Sequence, residues 1–193
     1  MHKLRQILPI LILTILLTAC TGNAVAQANE STPAAVPEKG EPTATPEVVS
    51  KEPPATCPVT VPQNPAFMPP VPYSPNGPFL GWFWYGSNSL WVAIPSGAVW
   101  YPMPNNSEGY FDKVFWWRDG YVWNEEPEPE LLVSGERLDA KAPLLIASKA
   151  TNAYASGIGS AMLVGVDFPA LGCWEITGKY RDAEGSFVIW VAP

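Results

Sequence analysis

The chain has 193 residues, room for one ordinary domain with attached segments and too little for two full cores. Hydrophobic residues make up 47% and charged residues only 15%, which excludes bulk disorder and a charge-laced helical bundle. A formal net charge of -7 argues against binding nucleic acid phosphates, and an acidic chain gains nothing electrostatically from an anionic membrane.

Residues 1–20 have the order of a secretory signal. Lys3 and Arg5 form a positive start, and Ile7 to Leu17 form a short apolar run interrupted by Pro9. That run is roughly half of the ~20 apolar residues a spanning helix needs, so it suits a cleaved signal better than a permanent span. The segment ends in Leu17-Thr18-Ala19-Cys20, which resembles the lipobox of bacterial lipoproteins. The resemblance implies a signal peptide over 1–19 and a mature chain starting at a lipidated Cys20, whose acyl chains tie it to a membrane. The expected location is therefore an exported face: the outer membrane if the cell has two membranes, or the outer face of the cytoplasmic membrane if it has one. Thr21 follows, where a retention signal for the inner membrane would carry aspartate.

Residues 20–56 follow as a tether. From 21 onward they hold no aromatic residue and are built from Ala, Thr, Pro, Glu and Ser. Such a stretch buries too little apolar surface to offset its chain entropy, and its prolines favour extended backbone. Residues 57–78 remain proline-rich but add Val59, Val61, Phe67, Met68 and Tyr73. This part reads as an ordered arm lying on the domain. Proline donates no backbone hydrogen bond, so the arm contributes edge pairing at most.

Residues 79–193 carry short β-branched and aromatic runs separated by Gly, Pro, Asn and Asp. Strands are expected at 79–85, 90–94, 98–101, 113–117, 130–138, 144–147, 161–168, 173–180 and 186–192. Nothing of helical length and period interrupts them, which points to an all-β fold, a single antiparallel sandwich. Leu90, Val92 and Ile94 alternate with Trp91 and Ala93, placing Trp91 on the outer or shared face. Turn signals stand at Asn76-Gly77, Ser96-Gly97, Asp119-Gly120 and Glu184-Gly185.

The stretch Pro169 to Val191 resembles the terminal hairpin of immunoglobulin-like domains. The run from Leu80 onward, with Gly172-Cys173-Trp174-Glu175 near its end, also resembles a group of bacterial lipoproteins. The resemblance implies an immunoglobulin-like fold and an envelope location, and it supplies no reaction.

The chemistry open to the mature chain is narrow. The one histidine, His2, lies in the signal, so Ser-His-Asp and Cys-His catalysis and His-ligated metals are excluded. No cofactor and no metal are expected. Cys57 and Cys173 are expected to form a disulfide in an oxidising compartment rather than to remain free thiols; a redox-active pair is the functional alternative, although no Cys-x-x-Cys occurs. Glu125, Glu126, Glu128 and Glu130 alternate with prolines and read as a solvated loop, or else as a calcium site or a contact for a cationic partner. Trp82, Trp84, Trp91, Trp116, Trp117 and Trp123 are too many for one inner face per sheet. Either the arm and loops bury them or they form a platform on which a glycan or peptide stacks. The expected role is a non-catalytic interaction module, monomeric, with an envelope protein or a glycan as partner and no nucleic acid. A carbohydrate-binding module and a carboxylate-only hydrolase are the rivals.

Overall fold

The computed structural model describes residues 50–73, 77–107 and 109–193. Cys20 and most of the tether lie outside the described residues.

Eleven strands run in chain order as β1 (Trp82–Ser87), β2 (Leu90–Pro95), β3 (Val99–Trp100), β4 (Asn105–Asn106), β5 (Gly109–Trp117), β6 (Leu131–Arg137), β7 (Ile146–Ala147), β8 (Thr151–Ala155), β9 (Gly159–Phe168), β10 (Gly172–Tyr180) and β11 (Ala183–Val191). One sheet has the order β1-β2-β5-β9-β7, with β4 on β5 and β8 on β9; the other has the order β3-β11-β10-β6. All pairs are antiparallel except β3 with β11. The two sheets pack as a β-sandwich. Among the described residues no helix is long and apolar enough to cross a membrane.

The chain changes sheets between β2 and β3 through a single 3-10 turn, Ser96–Ala98. Gly97 and Ala98 sit there at φ 79 and 49, successive left-handed residues that swing the backbone across. The expected turn at Ser96-Gly97 is thus a sheet crossover.

Between the sheets lie Val92, Ile94, Val114, Trp116, Val164, Phe168, Trp174, Ile176, Phe187 and Ile189, all buried. Trp116 crosses the interior to reach β10, where Gly178 makes the room: a Cβ at 178 would stand 2.5 Å from the Trp116 ring. Gly185 is directly opposite Gly178 in the β10–β11 register. The Glu184-Gly185 turn expected from sequence is therefore strand, and the hairpin closes earlier on Arg181 and Asp182, with Arg181 at φ 55.

The arm straps the sandwich. Cys57 is bonded to Cys173, with Cα atoms 5.6 Å apart, fixing the arm to the outer face of the β3-β11-β10-β6 sheet beside Trp190. Thr60 then extends the free edge of β11: its N–H donates to the Val188 carbonyl at 2.9 Å, and its Oγ1 accepts from the Val188 N–H at 2.7 Å. Gln63 exchanges two side-chain hydrogen bonds with the Gly86 backbone. The strap ends on the outer face of the other sheet, where Phe67 and Tyr73 cover Trp91 at ring distances of 5.8 and 5.4 Å. Ahead of the arm, the Trp190 indole donates to the Ser50 carbonyl at 2.8 Å.

Candidate functional site

Five connections meet at one end of the sandwich: the β1–β2 turn, the long β5–β6 loop, the β8–β9 turn, the β10–β11 turn and the end of the arm. Strand pairing dictates this, since β5 and β10 finish there while β6, β9 and β11 begin there. The β5–β6 loop leaves β5 through Arg118, turns at Asp119-Gly120 and buries Tyr121. The Tyr121 hydroxyl donates to the Glu126 carbonyl at 2.9 Å, folding the loop back on itself.

The Glu126 carboxylate then accepts from the Tyr180 hydroxyl and from Arg181 Nη2 at 2.7 Å. Arg118 pairs with Asp182 at 3.0 Å, joining the end of β5 to the hairpin of the facing sheet. Both guanidinium groups flank the Tyr180 ring, Arg181 at 4.9 Å and Arg118 at 5.6 Å from its centre. These groups enclose a polar cleft of about 390 Å³, also lined by Glu125 and Val122. Burial, and next the Glu126 carboxylate, push the Tyr180 hydroxyl well above its ordinary pKa. The same causes push Tyr121 up to about 12. With both guanidinium groups paired to carboxylates, this cleft is a cross-brace between the two sheets more than an open site.

A second cleft of about 680 Å³ adjoins the first, sharing Asp119, Gly120 and Tyr121 with it. Its walls are Tyr73 from the arm, Tyr121 from the β5–β6 loop, Tyr154 from β8 and Ile158 from the β8–β9 turn. The Tyr73 hydroxyl donates to the Ser160 carbonyl at 3.0 Å, so the arm itself closes one side. Burial and then the nearby Asp119 charge raise the Tyr73 pKa. Tyr154 is 59% exposed and stacks on Trp123, with ring centres 5.5 Å apart and planes 22° apart. Asn152 Nδ2 holds Trp123 there through its carbonyl at 2.6 Å.

A third hollow, about 750 Å³, lies along the outer edge of β6 and is lined by Glu128–Val133 and Ala147–Ala150. Lys149 and Glu128 bridge it with an exposed ion pair, which lowers the Glu128 pKa.

The six tryptophans singled out as a platform are dispersed. Trp116 lies between the sheets. Trp84, Trp91 and Trp117 are buried together on the outer face beneath the arm. Trp84 meets Trp117 edge-on at 4.9 Å, and the Trp117 indole donates to the Ile158 carbonyl at 2.8 Å. Trp82 is half-buried against Phe79, leaving Trp123 at 37% exposure. None of these four buried rings presents an open face: Trp116 is enclosed between the sheets, and Phe67 and Tyr73 of the arm with Ile158 pack over the other three, a cover that strand alternation alone could not reveal.

The acidic run is divided as well. Glu126 faces Tyr180 and Arg181, Glu128 faces Lys149, Glu125 lines the polar cleft and Glu130 lines the β6 hollow. Among the described residues no group of three or more His, Cys, Asp or Glu side chains could hold a metal ion. The residues that sequence reasoning missed are Tyr73, Asp119, Tyr121, Tyr154 and the pair Arg118 and Arg181. They are scattered over more than a hundred positions and form no motif; only the topology of the loops brings them together.

Comparison of the chain with protein-family models, with curated proteins and with solved structures finds no match.

Proposed function

We propose that this protein is a lipid-anchored bacterial envelope protein whose β-sandwich is a non-catalytic interaction module. One observation carries the reading. Ser50 is held by Trp190, at the end of β11 and beside the start of β10, whereas the loops and both adjoining clefts gather where β10 ends. Nine residues of β10 separate the two ends, about 27 Å at ~3.4 Å per residue. A chain anchored through Cys20 would thus join the domain at the end opposite its loops, leaving those loops free for a partner.

The strand orders support an immunoglobulin-like assignment within the sandwich class. The run β2-β5-β9-β7 faces β3-β11-β10-β6, with the first strand divided between sheets, as in domains that use loops at one end for recognition. The disulfide differs from the usual bridge between the sheets, since Cys173 reaches outward to the arm. A non-catalytic role is supported by Glu126, which is already engaged by a tyrosine and an arginine.

Anchoring is tested by Cys20→Ser in cells. The reading predicts release from the membrane fraction or an unprocessed precursor. A variant processed and retained as before would refute the lipid anchor.

A further inference from the structure

We propose that the cleft between the arm and the β8–β9 turn binds a neutral saccharide, with Tyr154 as its stacking ring and Asp119 as its hydroxyl acceptor. This rests on reading the domain as an interaction module and names the ligand class of one of its clefts.

The volume, about 680 Å³, lies within the roughly 300–1,000 Å³ range of small-ligand sites. The lining is evenly divided in character. Tyr73, Tyr121, Tyr154 and Ile158 supply flat apolar surface; Asp119, Ser156 and Ser160 supply polar groups among three glycines. Sugar rings need both kinds of surface, a CH-rich face for stacking and a rim of hydroxyls for hydrogen bonds. Tyr73 and Tyr121 already donate their hydroxyl hydrogens to carbonyls, so their oxygens are left as acceptors. With the Asp119 carboxylate they form an acceptor-rich rim that suits a ligand rich in O–H donors.

Charge narrows the class further. Among the described residues no lysine or arginine lines this cleft and the one charged group is a carboxylate, so phosphates and carboxylate ligands are disfavoured. An ammonium ion is the competing solution for tyrosines beside an acid, but it wants rings closed around a point. Here the tyrosines turn to different partners: Tyr73 meets Trp91, Tyr121 meets Tyr180 and Tyr154 meets Trp123. None stacks on another, so they form an extended wall. Trp123 backs the Tyr154 ring, holding a largely exposed side chain flat. Preorganising that ring reduces the ordering cost of stacking.

The test uses full-length protein titrated calorimetrically with cellotetraose, chitotetraose and maltotetraose, and with tetramethylammonium as the cationic comparator. Saturable binding of at least one oligosaccharide is expected. Tyr154→Ala and Asp119→Asn should each weaken it tenfold or more, about 1.4 kcal/mol, with melting temperature unchanged. Leu132→Ala, an exposed change on β6 outside the cleft, should leave affinity as it was. Absence of oligosaccharide binding at millimolar concentrations, affinity indifferent to both cleft variants, or binding of tetramethylammonium alone would overturn the assignment. A loop end that captures a protein partner while binding no sugar would leave the module reading standing and overturn this one.

Discussion

Replacing Trp91 by alanine tests the strap most sharply. The ring is 1% exposed on the outer face of its sheet, and its cover includes Phe67 and Tyr73 of the arm. Emptying a buried tryptophan site costs about 3–5 kcal/mol. The Trp91 indole N–H has no hydrogen-bond acceptor among the described residues, however, and burying an unpaired donor itself costs about 1–3 kcal/mol that the substitution returns. A net loss centred on about 2 kcal/mol, and at most about 4, follows, which lowers the melting temperature by roughly 6 °C in a domain of this size. Trp91→Phe separates the two contributions. It keeps a ring against Phe67 and Tyr73 and removes the unpaired donor, so it should lie within about 1 kcal/mol of the parent. Thermal and urea melts followed by circular dichroism provide both values. An alanine variant melting within about 2 °C of the parent would refute burial beneath the arm.

Three further outcomes follow from the same packing. Gly178→Ala drives a methyl group into the Trp116 ring and should cost about 1–3 kcal/mol, whereas Gly185→Ala across the ladder meets open space and should stay within about 0.5 kcal/mol; paired urea melts compare them. Reducing the Cys57–Cys173 bridge frees a loop spanning 116 residues and should cost up to about 5 kcal/mol, read as a lower melting temperature with reductant. Tyr73, Tyr121 and Tyr180 all hold their protons more tightly when folded, so above about pH 10 the unfolded chain loses protons first. Stability should be at its full value below that pH and fall from there toward pH 12, and Tyr180→Phe should flatten the decline in melts taken across that range.

The sandwich was legible because most strands announce themselves: 90–94, 161–168 and 173–180 alternate or run apolar between turn residues, and the structure keeps them nearly unchanged. β8 was missed because Thr151-Asn152-Ala153-Tyr154-Ala155 carries little β-branched or apolar signal; it is a strand through its pairing with β9. Gly185 misled for a physical reason. It suggested a turn, yet it stands across the ladder from the glycine that makes room for Trp116. The aromatic runs left open whether rings were covered, since the cover comes from Phe67 and Tyr73, distant in sequence. Trp91 behaves as alternation predicted, with Leu90 and Val92 in the core and itself facing the arm. The clefts were illegible, because Tyr73, the pair Asp119 and Tyr121, and Tyr154 come from three separate segments and meet only once the strands pair.

The central claim is that the protein is held at one end and recognises at the other. A photo-crosslinking amino acid placed at Glu125, at Ser156 or at Thr56 in the full-length protein, irradiated in intact cells, tests it directly. Glu125 and Ser156 line the two adjoining clefts, while Thr56 lies beside the disulfide at the opposite end. The account predicts discrete adducts to the same envelope component from Glu125 and Ser156, and none from Thr56. Adducts from Thr56 alone, or equally from all three positions, would contradict it.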